Sequence, residues 1–144
     1  MARNFEFAYS LAGGNFPPVV LKLPVAASQT LVIGDAVIMS SGRVTKGGAA
    51  IGEVVGVMAQ DSASQAVGTL VDVEIVMPHQ VWRAVASANA TSVVRDGIET
   101  YDLTAAQLVD PADTTGGSLQ IIDIDPNDNT RIWVQFMSCF YAGS

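Results

Sequence analysis

The sequence predicts an all-β protein. Its apolar residues occur in short runs, many with a period of two, and Gly, Pro, Asn and Ser separate these runs. No stretch shows the 3.6-residue apolar period of a long amphipathic helix. At 144 residues the chain has the length of one domain. We therefore expect a single β domain over residues 29–144, preceded by a segment of different character.

That first segment spans residues 1–28. Phe5, Phe7 and Tyr9 alternate with small or acidic residues, which would place three aromatic rings on one face of a strand. Gly and Pro pairs within residues 13–18 then interrupt regular structure. Two interpretations stay open: a first strand packed on its own domain, or an extended arm that orders on a partner. The arm interpretation gives the candidate contact residues Phe5, Phe7, Tyr9, Phe16, Pro17 and Pro18.

The first half of the β domain contains three strong signals. LVIGDAVIMSSGRVTK, residues 31–46, predicts a hairpin in which Gly42 supplies the positive φ of a tight turn. TLVDVEIVM, residues 69–77, alternates apolar and acidic residues and predicts a half-buried strand. QVWRAVAS, residues 80–87, predicts another strand with Trp82 and Arg83 on opposite faces.

The second half closes with a hairpin. IETYDL, residues 98–103, predicts a strand, and TAAQLVDP, residues 104–111, predicts one helical turn with Thr104 as its cap. SLQIIDI and TRIWVQFMS, on either side of residues 125–129, predict two antiparallel strands joined by a turn.

Composition limits the kind of partner. Charged residues make up 15% of the chain and hydrophobic residues 49%, against roughly 25% charged residues in typical soluble domains. The surplus of apolar surface favours a homo-oligomer or a permanent protein partner. The net charge is −7, and the residues from Asp96 onward include eight acids but only one base, Arg131. Since nucleic-acid affinity depends on Lys and Arg, we expect no nucleic-acid partner.

Location follows from the same composition. No apolar run approaches the roughly 18 residues of a membrane span, and the first ten residues lack the pattern of a secretory signal. The single cysteine, Cys139, allows no disulfide within the chain and fits a reducing cytoplasm. We expect a soluble protein with no membrane partner.

The sequence contains only weak candidates for catalytic or metal-binding sites. Asp123, Asp125 and Asn127 have the spacing that begins a calcium loop, but Asp128 and Val134 occupy the positions that need Gly and Glu. These residues are better explained as a strand that runs into its turn. His79 and Cys139 lack a recognisable catalytic motif, and no phosphate-binding glycine loop occurs. We expect no enzyme activity, metal or cofactor.

The order of motifs in residues 31–77 resembles that of capsid decoration proteins of tailed bacteriophages, also called cement proteins. A Gly-Asp-Ala-Val strand, a Gly turn before Val-Thr, a Gly-Val-x-Ala segment and a polar loop before V-x-V-x-I follow one another. The resemblance implies a small β-barrel or β-tulip-like domain without enzymatic activity. It also implies a homotrimer on the outer surface of the virion head, where it bridges major capsid subunits and stabilises the head.

In this interpretation the segment 1–28 is the capsid-binding arm. Another virion structural protein, such as a head-fibre base or a tail subunit, would share the β pattern and the surplus of apolar surface, as would a β-barrel adaptor. An enzyme built around His79 is a third class, for which the sequence gives no supporting motif.

Overall fold

The computed structural model describes residues 5–12, 17–47, 54–90, 103–105, 108–112, 119–137 and 139–141. These ranges contain thirteen β-strands and no helix, so the all-β prediction is confirmed. The strands are β1 (Glu6–Ser10), β2 (Val20–Pro24), β3 (Thr30–Leu31), β4 (Ala36–Ser40), β5 (Arg43–Lys46), β6 (Val54–Met58), β7 (Ser62–Ala63), β8 (Leu70–Ile75), β9 (Gln80–Ala86), β10 (Leu103–Ala105), β11 (Leu108–Val109), β12 (Leu119–Asp125) and β13 (Asp128–Phe136). Within the same ranges, nothing forms a helix that is long and apolar enough to cross a membrane.

The first sheet has the order β10-β11-β9-β13-β12, and β1 also pairs with β9. The pairing of β12 with β13 is the hairpin that the sequence predicted, with Asp125 opposite Asp128 at its turn. The helical turn predicted for residues 104–111 is wrong in the part that the structure describes. Leu103–Ala105 and Leu108–Val109 are strands, and Leu108 pairs in parallel with Val85 of β9. Long-range pairing therefore overrides the local helical signal.

The second sheet has the order β2-β8-β6-β4-β5. The predicted hairpin is confirmed as β4 and β5, and its turn residues Ser41 and Gly42 both have positive φ, at 51° and 77°. An isolated bridge joins Val25, after the end of β2, to Val44 of β5. The sheet thus curls until its two edge strands meet at one point. The described strands do not form a closed barrel ladder.

The apolar side chains of the core form two clusters. One contains the rings of Phe5, Trp82 and Phe136 together with Val54 and Val57 of β6, so it lies between the two sheets. The other contains aliphatic residues and Met58 and lies on the inner side of the curl. Every residue of β6 is buried, because successive side chains of this strand enter the two clusters.

β8 behaves as its sequence predicted. Val71, Val73 and Ile75 are buried, while Asp72 and Glu74 lie on the other face and are partly exposed. β9 is equally regular, with Trp82 buried and Arg83 exposed. Trp82 and Phe136 meet edge to face with ring centroids 6.2 Å apart, a geometry that adds to the burial of both rings.

Candidate binding surface

The structure gives two different environments to the segment 1–28. β1 pairs antiparallel with β9, with Glu6 opposite Arg83. Phe5 is fully buried, with its ring centroid 5.6 Å from that of Phe136. Phe7 packs edge to face on Trp82 at 5.8 Å. These two rings therefore stabilise the domain itself, as in the first of the two interpretations of the sequence.

The other predicted contact residues are more accessible. The side chain of Tyr9 is 40% exposed, Pro17 is exposed and Pro18 is half-buried. Phe16 lies outside the described residues. The role of these residues in binding a capsid stays a prediction, and Tyr9 and Pro17 are the ones that present surface for it.

An open groove with a volume of about 350 Å³ lies at the start of β2. Most of its lining is apolar, and the lining consists of Pro17, Val19, Leu21, Ile75, Met77, His79 and Gln80. The turn that forms one wall is fixed by hydrogen bonds. Gln80 Oε1 accepts a bond from Met77 N–H at 2.9 Å, Gln135 Nε2 donates to the Pro78 carbonyl, and Leu11 N–H donates to the His79 carbonyl at 2.7 Å.

β2 borders this groove and exposes most of its side chains. Val19, just before the strand, is 64% exposed, Val20 is 51% exposed and Leu21 is 37% exposed, whereas Leu23 is buried. Leu11, beside the groove wall, is 54% exposed. A cluster of exposed aliphatic side chains on one edge of a sheet is typical of a contact surface.

One side of the β2 backbone is bonded to β8, and within the described ranges the other side meets only β5, near the end of the strand. Ile75 N–H donates to the Val19 carbonyl at 2.8 Å, and the antiparallel register continues unbroken through β2. Because bonded and non-bonded positions alternate in such a ladder, odd-numbered residues 19–25 turn their N–H and C=O toward β8. Val20 and Lys22 turn theirs away. Among the described residues, no strand pairs with that side of β2 at these two residues.

The turn at residues 125–129 is a hydrogen-bonded structure of its own. The Asp125 carboxylate accepts a bond from Asn127 N–H at 2.9 Å. The Asp128 carboxylate accepts bonds from the Thr130 hydroxyl at 2.6 Å and the Thr130 N–H at 3.0 Å. These two bonds, the hydroxyl bond first, lower the pKa of Asp128. Each carboxylate thus serves a local turn.

The remaining candidates for chemistry stay apart. His79 is exposed on the groove wall, whereas Cys139 is buried, and its Sγ lies 3.3 Å from the Phe136 carbonyl as a donor. Within the described ranges, no group of three or more His, Cys, Asp or Glu side chains is placed to hold a metal ion.

Sequence reasoning found only part of this surface. Pro17 and Pro18 were named, but the roles of Val19, Leu21 and Met77 were not. The available signal was the apolar run VVLKL beside two prolines, since a proline suits an edge strand and an edge strand exposes side chains.

Comparisons with known proteins assign no family. No protein-family model matches the chain, and no curated protein sequence matches it at a significant level.

Proposed function

We propose that the chain is a non-enzymatic capsid decoration protein of a tailed bacteriophage. It would be made in the host cytoplasm and would bind the outer surface of the assembled head, where it bridges major capsid subunits. The motifs that resemble this family span residues 31–77. These residues include β4, β5, β6 and β8, which are four of the five strands of the curled sheet.

The observation that carries the proposal is the exposed apolar groove beside β2. Its lining includes Pro17, Val19 and Met77, and both Val19 and the neighbouring Leu11 are more than half exposed. Exposed apolar surface of this kind is typical of proteins that bind a partner, and a protein that adheres to a shell uses it to bury apolar side chains of that partner.

The mechanism of this function is adhesion. One groove of this size gives a weak contact, because association also costs translational and rotational freedom. Several copies held together on the head make the second and third contacts intramolecular, which strengthens attachment greatly. Any homo-oligomer that presents more than one groove to the head would work in this way. No cofactor or nucleic acid takes part.

Co-sedimentation with phage heads tests the proposal. The heads are assembled from the major capsid protein encoded nearest to this chain in its genome. Pro17→Glu places a charge in the groove lining at an exposed position, so the variant should fold normally and lose most head binding. Val67→Glu is the matched control, because Val67 is 49% exposed and is not part of the groove lining.

The expected result is pelleting of the wild type and of Val67→Glu with the heads, while Pro17→Glu stays in the supernatant. Failure of the wild type to pellet with any head would contradict the proposal. Binding to purified tails instead of heads would favour a tail component.

A further inference from the structure

We propose that two copies of the chain associate through their β2 edges. The β2 edge is defined as the outward backbone N–H and C=O groups of Val20 and Lys22, with the side chains of residues 19–22. In this contact the two edges pair antiparallel and join the two curled sheets into one. The inference goes beyond the proposed function, because it concerns a contact between copies and requires no phage head. It assigns a dimer where the resemblance implies a homotrimer.

Two prolines limit the β2 edge. Pro24 is the last residue of β2, and Pro18 lies two residues before its first. Both prolines are even-numbered, like Val20 and Lys22, so their backbone also turns away from β8. The N–H that each proline lacks would therefore have pointed to the outer side of the edge. The edge therefore offers two backbone donors, at Val20 and Lys22. Antiparallel pairing of two copies satisfies all four donors of the dimer.

The same prolines limit the association to two copies. Prolines and a lysine on an edge strand restrict open-ended strand pairing. Here they leave a short window that one second copy fills completely. A twofold contact uses the same surface on both copies and leaves no free surface of that kind for a third. The window thus suits a dimer better than a fibre.

Charge selects the register. When Leu21 lies opposite Leu21 of the second copy, Val20 lies opposite Lys22 of that copy. Within one chain Val20 is already paired with Glu74 of β8. Lys22 of the second copy then lies on the same face of the joined sheet as Glu74. The two residues are two strands apart, so their backbones are about 10 Å from each other. By symmetry, two such Lys–Glu approaches form.

The ion pair within each chain shows that the Lys22 side chain lies on the same face of the sheet as the acids of β8. Its Nζ lies 2.8 Å from Asp72 Oδ1 of β8, and its side chain is 68% exposed. The outer face of β2 and β8 therefore carries a base on the edge strand and acids, Asp72 and Glu74, on the next strand. A twofold axis brings the base of each copy toward the acids of the other.

The opposite face of the edge supplies apolar contact. Leu21 and Leu21 of the second copy form a non-hydrogen-bonded pair, in which side chains lie closest. Val19 of each copy joins them and is its most exposed apolar residue in this region. β5 flanks the C-terminal end of β2, where Val25 bridges to Val44 and Ala26 N–H donates to the Val44 carbonyl at 3.0 Å. The ladder between the copies therefore spans only residues 20–22, and each copy leaves it at Pro18 before it reaches β5 of the other.

Disulfide cross-linking tests both the contact and its register. Leu21→Cys should give a disulfide-linked dimer under mild oxidation, because directly opposite residues bring their Cβ atoms within bonding range. Val20→Cys, one residue away, should give little, because residue 20 lies opposite residue 22. The native Cys139 is fully buried and does not interfere. The readout is the band of doubled mass on a non-reducing gel.

A charge exchange gives an independent test by light scattering. The wild type should have twice the single-chain mass of 15.0 kDa. Lys22→Glu should weaken the dimer by about tenfold or more, because it places acids side by side, and adding Glu74→Lys should restore it. Melting temperatures confirm that each variant is folded. A single-chain or triple-chain mass together with no cross-link from Leu21→Cys would overturn the inference, as would equal cross-linking of both cysteine variants.

Discussion

β1 and β2 are edge strands with similar lengths and with similar ion pairs, yet they are held very differently. Arg83 Nη2 lies 2.8 Å from Glu6 Oε1 across β9 and β1, and Lys22 Nζ lies 2.8 Å from Asp72 Oδ1 across β2 and β8. β1 places Phe7 on the core and follows the fully buried Phe5, whereas β2 buries Leu23 and exposes its first residues.

The comparison teaches that side-chain burial, and not the ion pair, separates an anchored edge from an available one. Exposed ion pairs contribute at most about 1 kcal/mol. A fully buried aromatic ring contributes several times more. β1 therefore belongs to the stable part of the domain, and β2 is the edge whose surface is free to bind.

The largest expected effect is at Phe5. Phe5→Ala should lower the free energy of unfolding by about 3–5 kcal/mol, because it leaves a cavity between the two sheets. Tyr9→Ala in β1 is the matched control, and it should cost about 1 kcal/mol or less at a partly exposed site. Urea unfolding followed by tryptophan fluorescence measures both. Equal losses would show that β1 is not anchored through Phe5.

The next effect concerns the support of β2. A Cβ on Gly56 would lie 2.5 Å from Val73 Cγ1 and closer still to the Glu74 carbonyl oxygen of β8. Gly56→Ala should therefore push β6 away from β8 and cost about 1–3 kcal/mol or more. The same urea titration measures this loss. An unchanged midpoint would mean that the two strands separate without cost.

The smallest effects are expected at the two ion pairs. Glu6→Gln and Asp72→Asn should each lower the free energy of unfolding by about 0.2–1 kcal/mol, and added salt should reduce the difference from the wild type. Chemical denaturation at low and high salt measures this. A loss of several kcal/mol from Glu6→Gln alone would mean that the ion pair, rather than Phe5, holds β1.

Local signals predicted the hairpins of this fold. Gly42 has the positive φ that its turn requires, and the β12–β13 turn is made by Asp and Asn side chains that bond to the backbone two residues on. The strand at residues 70–75 follows directly from its alternation. These features depend on neighbours in sequence, so the sequence contains the information for them.

Long-range pairings were not predictable in the same way. Glu6 pairs with Arg83, and Leu108 pairs in parallel with Val85. No pattern inside either strand identifies a partner so far away in sequence, so β1 could be predicted equally well as an arm and residues 104–111 as a helical turn. The groove was missed for the same reason, since Leu21 and Met77 meet only after β2 pairs with β8.

Amide hydrogen exchange along β2 tests most directly whether this edge is open and is used for association. At low protein concentration the N–H groups of Leu21 and Leu23, which face β8, should exchange slowly, and those of Val20 and Lys22 should exchange rapidly. At high concentration Val20 and Lys22 should also become protected. Protection of Val20 and Lys22 that does not change with concentration, or rapid exchange at every concentration, would contradict the account.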